Sequence, residues 1–105
     1  MCPFQDDQSQ GAVIPKRRTR TQKPKMFRVL LHNDDFTTID FVIFILKTVF
    51  LKSTAEAAAI TMKVHKGGVG IAGVYPYEIA IEKVADVTSR AKRRGFPLLC
   101  TAEAE

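Results

Sequence analysis

Phe27-Arg28-Val29-Leu30-Leu31 runs into Asn33-Asp34-Asp35 and then into Thr37-Thr38-Ile39-Asp40, and this passage decides the fold. The first five residues favour a strand, opened by Met26, and Asn33-Asp34-Asp35 ends it as a turn. Thr37 or Thr38 can cap the helix that follows; with Thr37 as cap, Asp40 falls at the third helical position, close to a capping box. Ile39, Val42, Ile43, Leu46, Val49 and Phe50 then recur at helical spacing and form the expected core side. Phe41, Phe44 and Ile45 make the opposite side apolar too, more so than a plain surface helix needs.

Outward from this passage the punctuation is clear. Ser53-Thr54-Ala55-Glu56 is a capping box, and the helix it starts runs past Ile60, Met62 and Val64 to Lys66, where Gly67-Gly68 stops it. Val69–Val74 reads as a short strand whose glycines permit close approach of a neighbouring backbone. Tyr75-Pro76-Tyr77-Glu78 opens a third helix with Pro76 in its first turn, and Gly95 ends it after the basic run Arg90–Arg94. Phe96–Thr101 is a last strand, after which Ala102–Glu105 is expected to fray. The order β-α-α-β-α-β predicts an α/β (α+β) domain of two layers, three helices packed on a small three-stranded antiparallel sheet.

The net charge of +5 is unevenly placed. Residues 1–25 hold six Lys or Arg against two Asp, whereas residues 26–105 hold ten against nine acids. Residues 1–25 have few apolar side chains to offset the entropy of ordering and read as a flexible basic extension; residues 26–105 read as the folded domain. A nearly neutral domain argues against a nucleic-acid partner, although Lys16–Arg20 and Arg90–Arg94 keep a small basic binding module as the reading from another class. No apolar run reaches membrane-spanning length and Met1–Gly11 has no signal-like core, so a cytoplasmic chain is expected. Cys2 and Cys100 have no spacing partners; Cys100 reads as a buried thiol.

Catalytic chemistry finds little support. The two histidines, His32 and His65, lack metal-ligand spacing, and Gly67-Gly68-Val69-Gly70 lacks the lysine of a phosphate loop. The expectation is therefore a binding protein with no catalytic residue, no metal and no cofactor. Asn33, Asp34 and Asp35 place acceptors at the mouth of an apolar helix, where a carboxylate beside an amide carbonyl can hold an ammonium group. His65 can complete that rim. The plainer alternatives are a solvated turn for Asn33–Asp35 and a complement to a helix end for His65.

Asn33-Asp34-Asp35-Phe36-Thr37, Val64-His65-Lys66, Gly70-Ile71-Ala72-Gly73-Val74-Tyr75, Val84-Ala85 and Pro97-Leu98-Leu99-Cys100-Thr101 resemble the signature segments of the ClpS adaptor family. The resemblance covers about Met26 to Glu103, preceded by a basic extension. It implies an adaptor of the N-end rule that captures substrates beginning with Leu, Phe, Tyr or Trp and delivers them to a ClpA-type AAA+ unfoldase of the Clp protease. By that resemblance Asn33, Asp34 and His65 contact the N-terminal amine and first peptide unit. Ile39, Val42, Thr61, Val64 and Leu98 line or border the side-chain pocket. Glu78 and Lys83 fall on the unfoldase-docking surface, and the free protein is expected to be a monomer. Ile39 and Thr61 stand where the family commonly has methionine, which implies an altered ranking of first residues. Ile81-Glu82 departs from the family pattern on the docking helix.

Overall fold

The computed structural model describes residues 24–105. Its elements are β1 (Met26–His32), α1 (Ile39–Thr48), α2 (Thr54–Gly67), β2 (Val69–Pro76), α3 (Tyr77–Arg94) and β3 (Leu99–Ala104). The order is the predicted one, and the three strands form one antiparallel sheet in the order β2-β1-β3. The strand that opens the fold is thus the central one, with both backbone edges paired. Val29 and Leu31 on β1 are fully buried, while the alternate Arg28, Leu30 and His32 are half-buried. That period of two turns one side of the strand to the core. Phe41, Val42, Ile45 and Leu46 of α1, Ala57 and Val64 of α2, and Ala80, Val87 and Ala91 of α3 join it, with Ala72, Leu98 and Cys100 from the sheet side.

Local chemistry sets the helix ends. Ser53 caps α2 through Glu56 N at 3.1 Å, and the Glu56 carboxylate accepts from Ser53 N at 3.1 Å, so the predicted capping box is formed in both directions. Gly68 closes α2 in the left-handed region with φ of 88°, a conformation that favours glycine. Of the two candidate caps of α1, Thr38 is the one used, accepting from Phe41 N at 3.1 Å.

Three expectations are corrected. Ala102–Ala104 does not fray: it pairs with Val29, Arg28 and Phe27, and Glu103 faces Arg28 across the strands at 2.9 Å. Tyr75 and Pro76 belong to β2, opposite Phe27 and Met26, so α3 starts at Tyr77 with Pro76 at its cap. On α1 the side expected to be surplus apolar surface is partly core. Phe41 is buried 4.9 Å from the Phe96 ring and Ile45 is fully buried, while Ile39 is 48% exposed at the helix start. Phe44 lies under the guanidinium groups of Arg94 and Arg90, at 5.8 and 6.0 Å from its ring centre. The basic end of α3 covers part of that ring, which stays 40% exposed.

Candidate functional site

The loop between β1 and α1 is organised by one carboxylate. Asp34 Oδ1 accepts from Phe36 N at 2.8 Å and Thr37 N at 2.7 Å, and Oδ2 accepts from the Thr37 hydroxyl at 2.6 Å. Adjacent threonines therefore do different work: Thr38 caps the helix and Thr37 closes the loop on Asp34. Burial pushes the Asp34 carboxyl up, but the Thr37 hydroxyl and the Thr37 and Phe36 amides outweigh it and hold the group below its ordinary value. Asp34 is thus an anion throughout the neutral range. A carboxylate offers about four acceptor sites, so roughly one is left for a ligand.

The other side of the site comes from the end of α2. Asn33 N donates to Gly68 O at 2.9 Å, and Gly68 N donates to Val64 O at 2.9 Å. These two bonds tie the loop to the last turn of α2, where His65 is exposed. Gly70 fixes the depth of that turn against the sheet. A Cβ there would come within 2.7 Å of Val64 Cγ2, so only glycine lets β2 lie this close to α2.

The result is a cavity of about 230 Å³. Asn33, Asp34, Asp35 and His65 supply polar groups to it; Ile39, Val42, Thr61 and Val64 supply its apolar part; Thr37 lies at the loop side. Val42, Thr61 and Val64 are buried, and the Thr61 hydroxyl is engaged with Ala57 O at 2.7 Å. With its proton committed to a backbone carbonyl, Thr61 behaves as a small, nearly apolar wall. Seven of the site residues picked from the sequence, Asn33, Asp34, Ile39, Val42, Thr61, Val64 and His65, therefore share one cavity. Leu98 is not among the residues that line it; it is 6% exposed within the core. Asp35 and Thr37 join the lining, and the signal for Thr37 was its position three residues after an aspartate that can turn back on it.

The second surface is assembled differently. Glu78 is exposed in the first turn of α3. Lys83 is half-buried, with Nζ donating to Val49 O at the end of α1 at 2.8 Å and lying 5.6 Å from the Tyr75 ring centre. Five residues along a helix place two side chains about 140° apart, so Glu78 and Lys83 do not face one way. Ile81 and Glu82 are exposed between them. Of the two histidines, His32 shares a hydrogen bond with the Thr101 hydroxyl at 2.8 Å. Among the described residues no three His, Cys, Asp or Glu side chains gather as a metal site, and no helix is long and apolar enough to cross a membrane. Cys100 is buried, and burial pushes its thiol up to about 12. Cys2 and most of the basic extension lie outside the described residues.

Comparison with known proteins places the fold in a family. Residues 22–101 match the family described as ATP-dependent Clp protease adaptor protein ClpS. The ClpS adapter of Desulfatibacillum aliphaticivorans is 50% identical over 95 residues, covering 90% of this chain and 91% of the relative. That of Clostridium acetobutylicum is 54% identical over 86 residues, covering 82% and 85%. The solved structure of Agrobacterium tumefaciens ClpS2 bound to L-phenylalaninamide superposes with a TM-score of 0.76 at 37% identity, covering 79% of this chain and all of that one. This chain belongs to the ClpS family of Clp protease adaptors.

Proposed function

We propose that this adaptor binds substrates through a free N-terminal amine followed by a bulky hydrophobic first side chain, Leu, Phe, Tyr or Trp, and presents them to a ClpA-type unfoldase of the Clp protease. One observation carries the reading: anionic and amide acceptors stand at the mouth of the same cavity whose depth is apolar. An α-ammonium group gains charge-assisted hydrogen bonds from Asp34 and Asn33, with the exposed Asp35 adding negative charge and His65 closing the rim. The side chain of the first residue then leaves water for contact with Ile39, Val42, Thr61 and Val64. A charged first side chain would be desolvated there without a partner. The ligand in the Agrobacterium ClpS2 structure, L-phenylalaninamide, has these two features, a free amine and a benzyl group.

No step of this role needs bond chemistry, and a non-enzymatic, cytoplasmic protein, monomeric when free, fits it. Glu78, exposed on α3, is the proposed contact to the unfoldase; Lys83 contributes by holding α3 to the end of α1. The test is fluorescence anisotropy with short peptides that differ only in the first residue. Peptides beginning with Phe or Leu are expected to bind at least about tenfold more tightly than one beginning with Ala, given the apolar area each buries. Equal affinity across the set would remove the cavity from substrate selection.

A further inference from the structure

The apolar part of the cavity consists of Ile39, Val42, Thr61 and Val64, and each of these side chains is branched at Cβ. Ile39 and Val42 lie on α1, Thr61 and Val64 on α2. On a helix valine and isoleucine keep one χ1 rotamer about 90% of the time, while threonine divides between two because its hydroxyl can reach a carbonyl one turn back. Here the hydroxyl does so, donating to Ala57 O at 2.7 Å, and this bond selects one of the two. Val64 has a further restraint: its Cγ2 methyl occupies the space that a side chain at position 70 would take, so β2 stands close behind it. All four are held at χ1, and the one arm left free to turn is the terminal Cγ1–Cδ1 of Ile39 at the exposed start of α1.

We infer that this pocket chooses the first residue by fixed shape, accepting a single six-membered ring, Phe or Tyr, well ahead of the fused rings of Trp. The inference rests on the reading that the cavity receives a free bulky N-terminus. A dry cavity of about 150 Å³ lined by aliphatic and aromatic groups holds benzene. The present one measures about 230 Å³ and includes the polar mouth that the amine occupies. One ring and the amine account for most of that volume. A second fused ring has to press on Val42, Thr61 and Val64, which are buried and held in one χ1 rotamer, and buried walls of this kind resist added volume.

Ile39→Leu tests this, because leucine has the same atoms with the branch moved from Cβ to Cγ, and Ile39 is 48% exposed, so the core is untouched. Two peptides identical except for Phe or Trp at the first position are titrated against the full chain and against Ile39→Leu. The expected result is a Phe-over-Trp preference of roughly tenfold or more in the original chain, the size that a misfit of one or two methylenes produces in an apolar pocket. In Ile39→Leu the preference is expected to fall to about threefold or less, chiefly because Trp binds better. A Phe-over-Trp ratio that is already small, or one that Ile39→Leu leaves unchanged while Phe still binds, would overturn the fixed-shape inference and leave the proposed function standing. Failure of the original chain to bind either peptide would overturn the reading on which the inference rests.

Discussion

The mouth of the cavity and the face of α3 each present charged side chains, yet they settle them in opposite ways. At the mouth, Asp34 bonds only to residues two and three positions on, so its carboxylate shapes a loop and keeps capacity for a ligand. On α3, Lys83 reaches 34 residues back in the chain to the last turn of α1 and bonds a carbonyl there. The first is a local device that can be altered without disturbing the core. The second is a strap between elements, close to the negative end of a helix, where a cation is favoured. A charge that organises its own loop is suited to recognition, whereas a charge that ties two helices together belongs first to stability.

Substitution of Asp34 should separate the two regions most sharply. Asp34→Ala removes three loop hydrogen bonds and the anion proposed to hold the substrate's amine. Affinity for a Phe-first peptide is expected to fall by tenfold to a hundredfold, in line with roughly 1.5–3 kcal/mol for hydrogen bonds to a charged group. Asp34→Asn keeps an acceptor for the Phe36 and Thr37 amides and should lie between. Unchanged affinity in Asp34→Ala would take the residue out of the site. The sign of the pH effect follows from the lowered carboxyl. The loop stability that Asp34 contributes is complete above its ordinary value of 3.8 and is lost as pH falls through the lower folded value. Titration of the loop amides by NMR should therefore show no Asp34-linked change between neutral pH and about pH 5.

Lys83→Met should give the converse result. The stem is retained, but Val49 O loses its partner and the Tyr75 ring its cation. A lowered urea midpoint corresponding to about 1–2 kcal/mol is expected, with peptide affinity held within about twofold. A large loss of peptide affinity without loss of stability would break the contrast between the two regions.

The smallest effect is expected at the Arg28–Glu103 pair on the sheet. Its side chains are 37% and 56% exposed, so water screens the contact between Arg28 Nη2 and Glu103, although Arg28 Nε itself is buried. Glu103→Gln should shift stability by less than about 1 kcal/mol, measured by the same unfolding curve. A larger loss would mean that this cross-strand pair, rather than backbone pairing, holds the end of β3.

How far the sequence foretold these features depended on whether the interaction was local. Ser53 and Glu56 are three residues apart and their reciprocal bonds form as expected. Asn33, Asp34 and Asp35 are consecutive, so their grouping at the mouth could be read directly. The end of β3 could not: Ala102-Glu103-Ala104 has weak strand propensity, and its extended form is imposed by pairing with Phe27–Val29. Lys83 was equally opaque, because a backbone carbonyl leaves no mark in the sequence of the helix that offers it. Leu98 shows the same limit, since whether an apolar residue lines a cavity or fills the core beside it depends on packing.

Recognition of the free amine is the claim on which the functional reading depends, and one pair of peptides tests it. A Phe-first peptide with a free N-terminus and the same peptide acetylated differ in charge and donors at a single nitrogen, with the benzyl group unchanged. Anisotropy titration should show acetylation weakening binding by at least about thirtyfold, the scale of lost charge-assisted hydrogen bonds. Equal affinity for the two would mean that Asn33, Asp34 and His65 do not read the N-terminus, and that the cavity recognises the apolar side chain alone.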